Sequence, residues 1–524
     1  FEISGFVSMS YLTLEGAESQ VVGLQCTHGR SSVIMTSVTF SYLSVGVSLC
    51  ANMDTVLLQS SSALQTVDTV LYFTGSSTVD WGSILVDTCF FSTAKAAINL
   101  SVTDLYGTVE SMHVRSTEFV NSGMFYRSAT GPELGYIENC TFTNCTSVPP
   151  VELIIASGFS VFNSSFTGNG PSTYAALNVA SYGSGYFDFA SNSTNGSTVY
   201  TTSLAVESSY FADNSGTVGA VLCNKAEVSI VDSVFLRNTG RSYGAVLISP
   251  SQSVTISESL FFYNTATEEG SQGGAVHTQD AHRLRMDNSV FAFNSAEQGG
   301  AAFLHGLSSL LLNVSFVGNE ADTGGGLFTS VPGNTRGMSF ISNVATNGAG
   351  MAAYFGDGGY LGVSDSVFDS NVAQLSGGAI DLNFYANSDD ILVVRLTNTT
   401  ITGNSAKTGG GVLLSGTRSR VTVVESELSG NSASESGGAV YCVATNVSLE
   451  DSVISDNQSP DGSAYTCMGS CSLDASTSEV SGTVGGNCGS DADAMFCGAA
   501  QALFSPLRSV EEAYRLYLEA ARSF

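Results

Sequence analysis

The sequence predicts an all-β chain, a right-handed single-stranded parallel β-helix of about 17 coils that ends in a short C-terminal helix. Two recurring elements and one compositional feature carry the prediction. Short alternating strands run into Ser-x-Phe-x-x-Asn, and Gly-Gly pairs follow most of the later Asn residues. Charged residues are only 12% of a chain that is 43% hydrophobic. Such a chain can bury a long core under a surface of small polar residues suited to strands and tight turns.

The first element is plainest in residues 228–238, 254–264, 284–294 and 361–371. Its Phe falls at Phe166, Phe189, Phe211, Phe235, Phe261, Phe291, Phe316, Phe340 and Phe368, and Ile401, Leu428 and Ile454 continue the series. Spacings run from 22 to 33 residues, the length of one coil. Weaker copies end at Phe40, Leu64, Phe90, Phe119 and Phe142, so seventeen coils lie between Phe40 and Ile454. Period-two alternation, as in Val254-Thr255-Ile256, sends alternate side chains inward. The Phe is expected to stack along the lumen. The Asn is expected to take the left-handed conformation at a bend and to hydrogen-bond along the axis as a ladder. The second element starts at Gly273, Gly299, Gly324, Gly377, Gly409 and Gly437, with shorter forms at Gly219 and Gly244. Paired glycines fit a turn too close for a Cβ. Each coil buries its apolar face only against its neighbours, so stability is a sum of nearest-neighbour terms.

The organisation that follows is a β-helix over residues 1–466, degenerate over 1–160 and regular over 160–466, then a Cys-rich cap and helix over 467–524. Ser509 and Glu512 form a capping-box pattern, and Val510, Ala513, Tyr514, Tyr517 and Ala521 keep helical spacing. A helix there would cover the open strand edges of the last coil.

Phe-x-x-Asn combined with Gly-Gly-Ala-[Ile/Leu/Val] resembles the repeats of the chlamydial polymorphic outer-membrane proteins, within the wider pectate-lyase-like β-helix class. The resemblance covers residues 160–460 well and 30–160 weakly. It implies a cell-surface passenger used in adhesion. This chain ends without the C-terminal membrane β-barrel of those proteins, so self-export is not implied.

Composition bounds the partners. Forty-six acidic against seventeen basic residues give a net charge of −29, which repels nucleic acid and anionic membranes and attracts Ca²⁺ only diffusely. No apolar run reaches the roughly 18 residues of a membrane span. The chain opens at Phe1 with no signal-peptide pattern, which reads as a trimmed or mature piece. Cys140 and Cys145 lie close in sequence, and Cys467, Cys471, Cys488 and Cys497 cluster late; both groups are expected to form disulfides in an oxidising compartment, against an alternative of buried thiols. Ten Asn-x-Ser/Thr sequons permit glycosylation, at Asn99, Asn139, Asn144, Asn163, Asn192, Asn195, Asn313, Asn398, Asn446 and Asn457. Together these features place the chain outside the cell or on its surface.

Chemistry is faint by comparison. No catalytic constellation is complete and no cofactor motif is present. Asp389-Asp390 is the one adjacent Asp pair, on an expected loop. His277, Asp280, His282, Arg283, Arg285 and His305 form the densest polar cluster, without zinc-site spacing. The fourth residue after the first Gly of each Gly-Gly element is His277, Phe303, Phe328, Asp381, Leu413 or Tyr441. If the third and fifth residues point inward, the fourth forms an outward binding stripe for sugars or protein; on the opposite parity these side chains are core. The expected role is a surface or structural protein, an adhesin, coat or filament subunit that touches copies of itself or other extracellular proteins. Carbohydrate binding and polysaccharide cleavage are the alternatives.

Overall fold

A computed structural model of the chain describes residues 5–16, 22–26, 31–50, 52–64, 67–75, 80–93, 95–102, 108–128, 132–146, 149–170, 175–181, 202–356, 358–385, 391–416 and 419–486, with positions 2, 3, 512, 513 and 515. The fold is a right-handed parallel solenoid of about 16 turns, almost without helix. Two compact units divide it: Phe1–Gly240 with Val246–Val254, and Arg241–Ala245 with Thr255–Phe524. In each, a turn contributes one strand to each of three parallel sheets. In the second unit one turn runs through Ala302–Gly306 in the first sheet, Ser309–Leu312 in the second and Ser315–Val317 in the third. The next turn stacks on it in register, with Leu304 opposite Thr329, Leu311 opposite Thr335 and Phe316 opposite Phe340. A further sheet of the second unit stacks the strands Glu320–Thr323 to Ser432–Ser436.

The third sheet explains the Phe of the repeat. In the first unit Phe119, Phe142, Phe166, Phe211 and Phe235 stack with centroids 4.5–5.0 Å apart. In the second unit Phe261, Phe291, Phe316, Phe340 and Phe368 do so at 4.5–5.2 Å. All are buried. The strand spacing of a parallel sheet, about 4.8 Å, equals a comfortable ring-stacking distance, so one Phe per turn fills the lumen.

Three details correct the expected register. Phe166 pairs directly with Phe211 on the next turn, so among the described residues sixteen rungs, not seventeen, lie between Phe40 and Ile454; Phe189 lies outside the described residues. Ala63, not Leu64, stands on Phe40, and Leu64 is 48% exposed. Phe91, not Phe90, is the buried rung. In each pair both residues fit the pattern, and only the pleat decides which one points inward. The turns also continue past residue 466: Tyr465–Met468 pairs with Val484–Gly486, and Ile454 with Val480. Of the expected terminal helix, Glu512, Ala513 and Arg515 are helical and the rest lies outside the described residues.

The Asn ladder forms, but not by Asn adopting the left-handed conformation. The residue before it does so: Arg237, Tyr263, Phe293, Ser342 and Ser370 have φ of 51–59°. That bend turns the Asn side chain into the lumen. Asn319 is typical. Its Oδ1 accepts from the backbone N–H and Nδ2 of Asn294 at 2.9 and 3.0 Å, while its Nδ2 donates to Phe291 O at 3.0 Å and Asn343 Oδ1 at 2.9 Å. Every polar atom of the buried amide is satisfied, which keeps its desolvation cost from destabilising the turn. A second ladder is made by the Ser of the repeat: Ser259 N–H donates to Ser289 Oγ at 3.1 Å, and that hydroxyl donates to Asp287 O at 2.9 Å.

The Gly-Gly pair is a steric necessity. Gly299 has φ +62°, and a Cβ there would lie 2.3 Å from Ala302 O; one on Gly300 would lie 2.3 Å from Gly325 O of the next turn.

Candidate functional site

The strand after each Gly-Gly pair resolves the parity of the stripe. Val276 and Thr278, Ala302 and Leu304, Ile380 and Leu382, and Val412 and Leu414 are buried on the lumen side. His277, Phe303, Phe328, Ala352, Asp381, Leu413 and Tyr441 follow one another in register between them. The fourth residues therefore form one row facing away from the lumen. The row is not an open platform. His277 and Asp381 are 3% and 2% exposed, Phe303 is 9% exposed, and Phe328, Leu413 and Tyr441 are half-buried.

Aromatic packing closes its first part. His277 stacks on Phe303 at 5.0 Å and Phe303 on Phe328 at 4.6 Å, while Tyr243 lies against His277 at 4.7 Å. Tyr354 meets Phe328 edge-on at 5.2 Å. Burial, helped by His305, pushes the His277 imidazole down to about 3. It is therefore neutral at physiological pH, a ring in a stack. Asp381 is held differently. Ser376 and Asn383 donate to its carboxylate, and burial raises its pKa. Both oxygens are used, which makes Asp381 a local brace of the strand.

The His-Arg cluster does not converge. His277 is buried in the stack, Asp280 pairs with His305 at 3.3 Å on the surface, Arg285 pairs with Asp287 at 2.9 Å, and His282 and Arg283 are exposed. Among the described residues no group of three or more His, Cys, Asp or Glu is placed to hold a metal ion. Among those residues, too, no helix is long and apolar enough to cross a membrane. Asp389 and Asp390 lie outside the described residues.

The cysteines correct one expectation. Cys140 and Cys145 are buried free thiols at opposite ends of the strand Thr141–Thr143. Cys140 takes the Ser position of the repeat, its N–H donating to Ser164 Oγ at 3.1 Å, and Cys145 takes the Asn position, its N–H donating to Asn169 Oδ1 at 2.9 Å. Each is fixed in a different ladder, so the two cannot meet. Burial pushes both thiols up to about 12. Cys89 and Cys223 are likewise buried and free. The disulfides join neighbouring turns instead, Cys26 to Cys50 and Cys442 to Cys471, and Cys467 is also disulfide-bonded. Cys488 and Cys497 lie outside the described residues. Cys89, Cys140, Cys145 and Cys223 are expected to resist alkylation in the native protein and to react fully once it is unfolded, as read by mass spectrometry; labelling of Cys140 or Cys145 under native conditions would contradict their place in the ladders.

The sequons have a structural origin in part. Asn139, Asn144, Asn163, Asn313 and Asn398 occupy left-handed corners with φ of 44–53°, a conformation Asn tolerates, and all but Asn144 are followed two residues later by a Ser or Thr that opens a strand. Asn446 is exposed and Asn99 half-buried, while Asn192 and Asn195 lie outside the described residues. Asn457 is a ladder rung whose Nδ2 donates to Leu428 O and Ser455 O at 2.8 Å. A glycan is expected to be absent from Asn457 even if Asn313 carries one, and glycopeptide mapping would decide it.

Sequence reading missed a recess in the first unit between His113, Arg115, Leu134, Tyr136 and Glu138. Its walls come from two adjacent turns whose register depends on turn length, so no contiguous motif marks it.

The fold and these surfaces define a solenoid of the parallel β-helix class whose repeat positions are structural. Residues 425–443 match the Chlamydia polymorphic membrane protein (Chlamydia_PMP) repeat. That segment contains the rung strand Glu427–Ser429, the ladder Asn431 and the Gly437-Gly438 turn. No curated protein and no solved structure matches the chain.

Proposed function

We propose that the chain is a cell-surface or extracellular protein that works as an adhesin, coat or filament subunit through protein contacts along the outer faces of its turns. The observation that carries this reading is the match of residues 425–443 to a repeat of polymorphic membrane proteins, on turns whose neighbours repeat the same elements. Rows of exposed apolar side chains support it. Tyr360 and Val393, 41% and 38% exposed, are neighbours on the second sheet of the second unit, and Val344 and Val372, 40% and 46% exposed, are neighbours on its further sheet. Such rows suit a partner protein better than water. Lys95, Lys225 and Lys407 are the only lysines, so the usual gatekeepers against association are scarce. The partners on this reading are copies of the chain or other extracellular proteins.

The test joins surface labelling of intact cells that make the protein to sedimentation of gently released material. Labelled protein that sediments as assemblies, or that binds a second surface protein, supports the reading. Protein inaccessible to the label would overturn the location, and label-accessible monomers that capture no partner would overturn the contact role. Turnover of pectic, alginate or chondroitin polymers, abolished by changing Asp389, Asp390 or His277, would replace the reading with an enzymatic one.

A further inference from the structure

The recess on the second sheet of the first unit has features the solenoid does not need. Strand Thr108–Arg115 presents His113 and Arg115 outward, and strand Pro132–Glu138, one turn on, presents Leu134, Tyr136 and Glu138. In register, His113 lies beside Tyr136 and Arg115 beside Glu138. Between them is a cavity of about 360 Å³, at the lower end of the usual small-molecule range of about 300–1,000 Å³. The imidazole stands edge-on to the Tyr136 ring, 4.9 Å between centroids at 90°. Its Nε2 is buried and makes no hydrogen bond. An unmet polar atom of that kind costs stability, and a ligand group that meets it recovers the cost. Leu134 and Tyr136 meanwhile stay 52% and 38% exposed, so the recess offers apolar surface to whatever enters.

Charge narrows the ligand. Arg115 is engaged by Asp87, through Nε to Oδ1 at 2.9 Å and NH2 to Oδ2 at 3.2 Å, and Glu138 stands on its other side. Two carboxylates thus flank one guanidinium, in a chain of net charge −29. An anionic ligand would be repelled. A cation would have to sit against the Arg115 guanidinium, whereas an uncharged ring with one apolar face and a rim of hydroxyls suits both the exposed Tyr136 and Leu134 and the paired charges beside them. We propose that this recess binds a single neutral sugar ring of a glycan. The apolar face of the sugar packs on Tyr136 and Leu134, and its hydroxyls bond to Glu138, to the Arg115 donors that Asp87 leaves unused and, once the imidazole turns toward the recess, to His113 Nε2. The inference stands apart from the surface-contact reading, because such a recess would hold a sugar whatever the outer faces touch.

The experiment titrates the intact protein with neutral di- and trisaccharides of glucose, galactose, mannose and N-acetylglucosamine, with trigalacturonate as the charged counterpart, by calorimetry and saturation-transfer NMR. The expected result is binding of at least one neutral sugar and none of trigalacturonate. Tyr136→Ala is expected to weaken binding about tenfold, the size of one aromatic contact. Tyr136→Phe should retain most of the affinity, and His113→Phe, which keeps the ring and removes the nitrogen, should lose several-fold. Leu307→Ala, on the second unit and 65% exposed, should change nothing. Circular dichroism identical to wild type establishes that each variant is folded. No neutral sugar bound at millimolar concentration, binding indifferent to Tyr136→Ala and His113→Phe, or binding confined to trigalacturonate would each overturn the proposal.

Discussion

Phe316→Ala is expected to destabilise the surrounding turns by about 3–5 kcal/mol, the cost of emptying a fully buried aromatic site whose walls cannot collapse. Phe316 is fully buried and sandwiched between Phe291 and Phe340, at 5.2 and 5.0 Å. Both neighbours are themselves clamped by the next rung and by strand pairing, so little relaxation is available. Phe316→Leu should cost much less, on the order of 1 kcal/mol, because Ile401 and Leu428 fill the equivalent place in later turns. Asn319→Ala probes the adjacent ladder. It would strip the acceptor from two donors of Asn294 and the donor from Phe291 O and Asn343 Oδ1, and each buried group left unmet costs about 1–3 kcal/mol. Hydrogen exchange in strands Val290–Ala292 and Ser339–Ile341 reads the loss locally, as suits a protein whose stability is a sum of neighbour terms. Protection unchanged in those two strands for Phe316→Ala would show that the stack does not carry the turns.

Acid is expected to weaken the second unit through His277. Its folded pKa is pushed down to about 3, below the ordinary value of 6.5. Between those values the unfolded chain binds a proton that the folded chain refuses, so stability falls as pH drops from about 6.5 toward 3. From pH 7 to pH 4.5 this one group should remove roughly 2–3 kcal/mol, at 1.36 kcal/mol per pH unit below 6.5. Among the described residues His305, which acts on His277 and is paired with Asp280 at 3.3 Å, and Tyr243, packed against it, are ionisable groups beside this site, so the comparison must hold them constant. His277→Phe does so, and it extends the Phe303–Phe328 stack by one ring. The variant should lose less stability than wild type between pH 7 and pH 4.5, measured as melting temperature at each pH. Equal slopes for the two proteins would show that His277 is accessible to protons in the fold. The same stack explains why the expected binding stripe is only half a surface: His277 and Phe303 are buried in it, and Phe328 at its end is half-buried.

Most of the fold was legible because the signal repeats. Phe235, Phe261 and Phe291 each sit in the same string of residues, and a string that recurs once per turn can only place them in the same part of each turn. The early turns were harder. Around Phe40, Ala63 and Phe91 the ladder residues are only in part Ser and Asn: Ser61 keeps the Ser place, Cys89 takes it on the next turn, and Thr93 bonds to Ser122 through hydroxyls 2.6 Å apart. There the pattern keeps its polarity but loses its identity, and one-residue ambiguities such as Phe90 against Phe91 go unresolved. The disulfide between Cys140 and Cys145 failed for a related reason. Nearness in sequence suggested a pair, but the four residues of strand and bend between them carry the two thiols to opposite corners, each held by its own backbone contacts.

What the sequence by itself determined is the set of stacked rows: which Phe, which Asn and which Gly repeat once per turn. Those depend only on local periodicity and on the small volume allowed at a close turn. The tertiary structure alone decided what those rows expose. Turn lengths vary, and the step from Phe166 to Phe211 skips the position at Phe189, so side chains that meet across turns cannot be paired by counting. Whether His277 lies open or beneath Tyr243, whether Cys145 faces a partner or a ladder amide, and whether His113 and Tyr136 close a recess all depend on that stacking. Inter-turn register is set by hydrogen bonds between residues more than twenty positions apart, and no local pattern encodes it.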